Sequence, residues 1–140
     1  MFVVKIMSNQ AHLYQDSLQG NGFKIRLYRE DTVGQIASFY IANQRNQWYK
    51  RPGDSCEDYS VEIRQHMLEQ ALVSIIDSND QLFKHRAPFD ITLSYESLGH
   101  IENPYNAPTH NPDNLLELRS VINQLLDRRG IPKCLSATVF

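Results

Sequence analysis

The last third of the chain, residues 89–140, constrains the fold most, because its elements follow one another with clear boundaries. Apolar and polar side chains alternate over residues 89–95, which predicts a half-buried strand. A broad apolar stripe over residues 112–129, closed by Gly130, predicts an amphipathic helix. Alternation over residues 135–139 then predicts a terminal strand.

The start of this predicted helix carries a set of N-terminal signals. Asn111 offers a capping oxygen, and Pro112 suits the first helical position because its missing N–H is not needed there. Asp113 places a negative charge at the positive end of the helix dipole. These signals predict that the helix begins at residue 112.

The first half of the chain has the pattern of a strand meander. Residues 3–6, 23–28 and 35–41 have the composition and periodicity of strands. Turn signals at residues 19–22 and 30–34 separate them. We expect the last two of these strands to pair as a hairpin.

A further amphipathic helix is predicted over residues 61–77. Ser60 can cap its first turn, and apolar side chains then recur at three- and four-residue intervals. These side chains are Met67, Leu68, Ala71, Leu72, Ile75 and Ile76. The polar residues 77–80 are expected to end the helix.

Together these elements predict an α+β fold with a mostly antiparallel sheet of about five strands. The two amphipathic helices, residues 61–77 and 112–129, are expected to pack on one face of this sheet. A length of 140 residues suits one domain, so we expect a single domain over residues 1–140.

Composition and charge exclude several classes of protein. A formal net charge of −2 argues against a surface that binds nucleic acid or anionic lipid throughout. No apolar run approaches the roughly 20 residues that cross a bilayer. The first residues lack the pattern of a signal peptide, so we expect a cytoplasmic protein without a membrane partner.

The two cysteines argue against two further kinds of site. Cys56 and Cys134 form no Cys-x-x-Cys pair, which argues against thioredoxin-like chemistry and zinc-ribbon sites.

Residues 44–51 form the most basic and aromatic segment, and they include the single Trp. Interleaved cations and aromatic rings can bind single-stranded nucleic acid, but Trp, Tyr and Arg also dominate protein interfaces. A third interpretation is that Trp48 only covers the core. The predicted partner-binding residues, including two in a later loop, are Arg45, Trp48, Tyr49, Lys50, Arg51, Glu102 and Tyr105.

The loop of residues 97–114 also collects side chains that could bind a metal ion. His100, Glu102, His110 and Asp113 supply imidazole and carboxylate groups, which Zn, Mn or Fe accept. Their spacing matches no established metal motif, and solvent-exposed polar residues with a helix cap are the simpler interpretation. We therefore assign no metal, no cofactor and no catalytic residue to the chain.

Residues 111–115, Asn-Pro-Asp-Asn-Leu, follow a strand and a polar loop at the start of a helix. There they resemble the Asp-x-Asp-Asn-Leu element of RusA-type Holliday-junction resolvases, which implies a Mg²⁺ site near DNA phosphates that includes Asp113. The chain departs from this element at Asn111, which replaces the first acid, and at Glu117, where a basic residue is expected. Residues 131–134 lack the later acidic pair, so few carboxylates remain to hold the metal.

These observations favour a small non-enzymatic protein that acts by occupying a macromolecular partner, as an inhibitor, an immunity-like protein or an adaptor. A protein partner is expected ahead of nucleic acid. The alternative is a divergent metal-dependent nuclease or nucleic-acid-binding protein of RusA-like topology. The terminal strand could also pair two copies of the chain in a homodimer.

Overall fold

A computed structural model describes Leu13 and residues 15–48, 58–84, 89–98 and 111–136. These residues form helices α1 to α4, strands β1 and β2, and a short 3₁₀ helix after β2. The bounds are α1 Gln15–Gln19, β1 Ile25–Tyr28, α2 Thr32–Arg45, α3 Gln65–Lys84, β2 Ile91–Ser94, the 3₁₀ helix Glu96–Leu98, and α4 Leu115–Arg129. None of the described helices is long and apolar enough to cross a bilayer.

Strands β1 and β2 lie within the segments predicted as strands, but they pair in parallel, so the prediction of a larger, mostly antiparallel sheet is wrong. Ile25 lies opposite Ile91, and the register continues to Tyr28 opposite Ser94. Helices α2 and α3 separate the strands in the chain and return it to the same end of the sheet, as a parallel pair requires. Alternation identifies the apolar face of a strand but not the direction of its neighbour.

Residues 35–41 lie inside α2, so the prediction of a strand there is wrong. The turn signal before them is the N-terminal cap of the helix, because the Asp31 side chain accepts a hydrogen bond from Gly34 N–H at 2.8 Å. A short apolar run fits the period of a strand and that of a helix, and the cap favours the helix. The buried apolar residues on one face of α2 are Val33, Ile36, Ala37, Tyr40 and Ile41.

Helices α2, α3 and α4 pack around one apolar core. Burial of one large aliphatic side chain stabilises a fold by about 1.5–3 kcal/mol, so these helix contacts outweigh the small sheet in stability. The predicted arrangement, with two helices on one face of a broad sheet, is therefore replaced by a three-helix core. Its fully buried aliphatic side chains are Ile36, Ile41, Leu68, Leu72, Leu118, Ile122 and Leu126.

Helix α3 is the helix predicted over residues 61–77, with different bounds. It begins at Gln65 and continues to Lys84, through the polar residues that were expected to end it. Among them, Asn79 is buried and exchanges side-chain hydrogen bonds with Gln35 of α2 at 3.2 and 3.4 Å. This amide pair between helices allows a polar residue within a packed helix, which periodicity alone does not reveal.

Helix α4 is the helix predicted over residues 112–129. It begins at Leu115, and its N-cap is Asn114 rather than the predicted Asn111. The Asn114 side chain makes no capping hydrogen bond, because it is used elsewhere. The predicted end is confirmed: α4 finishes at Arg129, and Gly130 adopts the left-handed conformation at φ 63°.

The predicted strand at residues 3–6 lies outside the described residues, as does most of the terminal strand. Just before the predicted terminal strand, Cys134 forms an isolated antiparallel bridge with Asp31. Leu135 N–H donates to Glu30 O at 3.0 Å. The chain after α4 is thereby attached to the connection between β1 and α2.

Candidate functional site

The carboxyl end of α2 carries the described part of the predicted binding segment. Asn46 ends the helix in the left-handed conformation at φ 50°, which Asn tolerates better than most residues. Gln47 N–H donates to Ala42 O at 3.1 Å and closes the turn. Arg45 and Trp48 lie on either side of this turn, so the hydrogen bonds that close it also fix the backbone from which their side chains project.

Trp48 packs with part of its ring and exposes the rest. Its indole lies edge-on to Phe39 of α2, with ring centroids 5.6 Å apart and planes at 67°, a favourable aromatic geometry. Phe39 in turn packs against the three-helix core. Trp48 is nevertheless 45% exposed, so covering the core accounts for only part of its surface.

Arg45 stacks on an aromatic ring from another part of the chain. Its guanidinium carbon lies 3.7 Å from the centre of the Tyr59 ring, where the negative ring face attracts a cation. Arg45 forms no ion pair with a residue in the described ranges. Its N–H groups, at the edge of the stacked guanidinium, can donate to an incoming carboxylate or carbonyl.

Tyr59 lies in a segment without helix or strand, residues 58–64, which Tyr40 of α2 holds in place through hydrogen bonds. The buried Tyr40 hydroxyl accepts a hydrogen bond from Arg64 N–H at 2.9 Å and donates to Glu62 O at 2.6 Å. Gln44 Nε2 also donates to this hydroxyl, at 2.7 Å. A buried hydroxyl with several partners stabilises a defined backbone conformation.

The same segment is attached on its other side to the start of α4. Asp113 N–H donates to Tyr59 O at 2.8 Å. Asn114 hydrogen-bonds to Val61 N–H at 3.0 Å and to Val61 O at 2.8 Å. Since the segment is held from both sides, the Tyr59 ring has a fixed position beneath Arg45.

Two charged side chains of the segment that carries Tyr59 pair with each other. Arg64 Nη2 lies 2.5 Å from Glu62 Oε2, and both side chains are largely exposed. The hydrogen bond from Arg64 lowers the pKa of the Glu62 carboxyl below its ordinary value, and the same bond raises the pKa of Arg64. The pair is locally neutral, whereas Arg45 has no carboxylate partner among the described residues and can offer its charge to a partner.

The carboxyl ends of β1 and β2 are another expected location for a site, because open parallel sheets bind ligands there. The Glu96 carboxylate accepts hydrogen bonds from the N–H groups of Glu30 at 2.9 Å and Asp31 at 3.3 Å. Asp31 caps α2 and pairs with Arg119 of α4 at 3.0 Å. These charged groups connect the strand ends to the helices, and we assign them a structural role.

The structure brings two of the predicted binding residues, Arg45 and Trp48, to one end of α2. Phe39 and Tyr59 complete the surface, and we call these four residues the Trp48 surface. Because residues 35–41 were predicted as a strand, the contact between Phe39 and Trp48 was not expected. No local pattern indicates that Tyr59 meets Arg45. The other predicted partner-binding residues lie outside the described part of the chain: Tyr49, Lys50, Arg51, Glu102 and Tyr105.

Three of the metal candidates, His100, Glu102 and His110, also lie outside the described residues. Asp113 is described and exposed, and its backbone attaches the start of α4 to Tyr59. Within the described ranges, no group of three or more His, Cys, Asp or Glu side chains could hold a metal ion. The Mg²⁺ site implied by the resemblance at residues 111–115 therefore gains no support from the described residues.

Comparisons with protein families, with curated proteins and with solved structures find no match to this chain. A functional proposal therefore depends on the geometry of its own residues.

Proposed function

We propose that the protein acts by binding another protein through the Trp48 surface, without catalysis of its own. The observation that supports this most is the state of Trp48, which packs on Phe39 and follows a closed helix end yet is 45% exposed. An aromatic ring that is already held in place loses little conformational freedom when a partner covers it. Trp and Arg are also enriched among the residues that contribute most to interface affinity.

The same surface indicates the chemistry of the partner. The indole of Trp48 requires an apolar pocket, in which its exposed area can be buried. Arg45, stacked on Tyr59, favours a carboxylate at the rim of that pocket, because a charge-assisted hydrogen bond is stronger than a neutral one. We therefore expect a partner with an apolar pocket next to an acidic group. Inhibitor, immunity-like and adaptor roles all fit this mode of action.

The competing hypothesis is a metal-dependent nuclease or nucleic-acid-binding protein that uses Asp113, and it stays a prediction. Its test is a titration with single-stranded and branched DNA, with and without Mg²⁺ or Mn²⁺. Binding that weakens steeply with salt, and metal-dependent cleavage that is lost in Asp113→Asn, would favour this hypothesis over protein binding.

Affinity capture tests the proposal itself. The wild-type chain, Trp48→Ala and Tyr95→Ala are immobilised in equal amounts and exposed to an extract of the cells that make the protein. Tyr95→Ala is a matched control, because Tyr95 is 49% exposed and lies just after β2, away from the Trp48 surface. We expect the wild type and the control to retain the same protein, and Trp48→Ala to lose it.

Calorimetry with the purified partner then gives the size of the effect. Trp48→Ala is expected to weaken binding by about 2 kcal/mol or more, roughly 30-fold in Kd. Tyr95→Ala should bind like the wild type. A Trp48→Ala variant with unchanged affinity would overturn the proposal, as would a complex that depends on Tyr95 instead.

A further inference from the structure

The bend between α1 and β1 contains an Asn followed by Gly, a pair that occurs nowhere else in the sequence. Residues 20–22, Gly-Asn-Gly, form this bend, and both Asn21 and Gly22 are exposed. The Gly22 N–H makes no hydrogen bond to any residue in the described ranges. An exposed N–H of this kind donates to water, so the nitrogen is open to the side chain of the residue before it.

Gly22 also leaves room around its backbone nitrogen. A Cβ built at this position would meet nothing within 4 Å, so the space beside the backbone is open. Glycine samples more backbone conformations than any other residue, and it has no side chain to obstruct an approaching group. The Asn21 Cγ can therefore approach the Gly22 nitrogen and close a ring with it.

We infer that Asn21 is a site of spontaneous deamidation, in which water is the only co-reactant. A base removes the proton of the Gly22 N–H, and the nitrogen attacks Asn21 Cγ. The new bond closes a succinimide ring, the bond between Cγ and Nδ2 breaks, and Nδ2 takes up a proton and leaves as ammonia. Water then opens the ring at either carbonyl carbon. Opening at Cγ leaves aspartate, and opening at the backbone carbonyl leaves isoaspartate, whose main chain runs through Cβ and Cγ.

The other asparagines in the described ranges lack an accessible N–H on the residue that follows them. Asn46 is exposed, but the N–H of Gln47 donates to Ala42 O at 3.1 Å. The N–H that follows Asn114 donates to Pro112 O at 3.0 Å. The remaining four precede either an N–H in a helical hydrogen bond or a proline, which has no N–H: Asn43, Asn79, Asn123 and Asn111.

The surroundings of Asn21 also suit the product. Lys24 Nζ donates to Gly20 O at 2.5 Å, an atom of the peptide group that precedes Asn21. The carboxylate that deamidation creates therefore lies in a bend that already binds a cation. Lys24 is also bonded to Asp90, through its N–H at 2.6 Å and its carbonyl at 2.9 Å. These bonds lie between the bend and β1, so we expect the two strands to stay paired after the modification.

Timed incubation of the whole protein tests the inference. Wild type, Gly22→Ala and Asn21→Gln are held at several pH values from neutral to mildly alkaline and then digested, and mass spectrometry measures the acid form at position 21 over time. We expect it to accumulate in the wild type, and faster at higher pH, because the Gly22 nitrogen must lose its proton. Gly22→Ala should slow the reaction severalfold, because the added methyl group obstructs the attack. Asn21→Gln should abolish it over the same period, because the longer side chain disfavours ring closure.

The controls are matched to the site. Gly22→Ala adds a methyl group where nothing lies within 4 Å, so it tests ring closure without disturbing the fold, which circular dichroism checks. Asn46 is an internal control in every sample, because it is exposed like Asn21 but is followed by an N–H that is hydrogen-bonded, and it should stay unmodified. An isoaspartate-specific methyltransferase with labelled S-adenosylmethionine provides a second measurement. It should label the incubated wild type and leave Asn21→Gln unlabelled.

An Asn21 that stays intact in the folded protein after a synthetic peptide of residues 17–27 has deamidated would overturn the inference, since the fold would then protect the site. Equal rates at Asn21 and Asn46 would overturn it as well, as would equal rates in the wild type and Gly22→Ala. None of these variants changes a residue of the Trp48 surface, so the outcome is independent of the proposed function.

Discussion

The Asn114 side chain makes two hydrogen bonds to the backbone of Val61. Its Oδ1 accepts from Val61 N–H at 3.0 Å, and its Nδ2 donates to Val61 O at 2.8 Å. Val61 is buried, so without Asn114 these backbone groups would lack both a partner and water. The contact attaches the segment that carries Tyr59 to the start of α4 and so supports one side of the Trp48 surface.

Asn114→Ala is expected to lower the free energy of unfolding by about 1–3 kcal/mol, because buried backbone groups lose their partners. Urea denaturation measures the change. Asn111→Ala is the matched control: Asn111 is exposed and is not the cap of α4, so we expect a change within about 0.5 kcal/mol. Equal destabilisation by both variants would show that Asn111 also supports the helix.

Tyr40→Phe is expected to lower the free energy of unfolding by about 1–3 kcal/mol, because it removes the buried hydroxyl that joins Arg64 N–H, Glu62 O and Gln44. Tyr95→Phe, at an exposed ring, should be close to neutral. Chemical denaturation of both variants makes the comparison. A neutral Tyr40→Phe would mean that the hydroxyl does not hold residues 58–64 in place.

Gly34→Ala should destabilise the protein, although alanine normally stabilises a helix by about 0.5–1 kcal/mol over glycine. A Cβ at Gly34 would overlap the Asp31 carboxylate and lie 3.0 Å from Arg119 Nη1. Displacing Asp31 removes the cap of α2, which costs about 1 kcal/mol. Gly22→Ala is the control, since a Cβ there meets nothing within 4 Å. A higher Tm for Gly34→Ala would contradict this account of the cap.

The carboxyl of Glu62 should titrate below its ordinary range, because its pKa is lowered first by the hydrogen bond from Arg64. A lowered folded-state pKa means that this contribution to stability is present above the unfolded pKa and is lost as pH falls through the folded one. NMR titration of the Glu62 carboxyl carbon measures the shift, and Arg64→Gln should abolish it. An identical midpoint in both proteins would show that the pair does not persist in solution.

The predicted fold is wrong, but the sequence located single elements correctly where local signals agreed with one another. The apolar stripe of α4 and the glycine after it share one period and one end signal, and the end of the helix at Arg129 is confirmed. The strand pattern of residues 89–95 likewise located β2. The direction of the pairing was missed, because antiparallel pairing was inferred from short turns that proved to belong to a helix start.

The errors in the predicted helix cap and in the predicted site arise from contacts between residues that are far apart in the sequence. Asn111 and Asn114 are the same residue type, so the sequence gives both the same capability to cap a helix. Only the hydrogen bonds to Val61 show that the Asn114 side chain binds another segment instead. Tyr59 enters the Trp48 surface through its ring contact with Arg45, which no periodicity encodes. Composition led to the prediction that Trp48 and Arg45 bind a partner, whereas their contacts with Phe39 and Tyr59 are seen only in the folded chain.

Fluorescence reports whether a partner buries Trp48, because the chain contains a single Trp. Acrylamide quenching is measured for the free protein and for its complex with the captured partner. We expect emission to shift to shorter wavelength and the quenching constant to fall severalfold in the complex, because the partner buries the exposed part of the indole. A saturated complex in which Trp48 is quenched as readily as in the free protein would contradict this expectation.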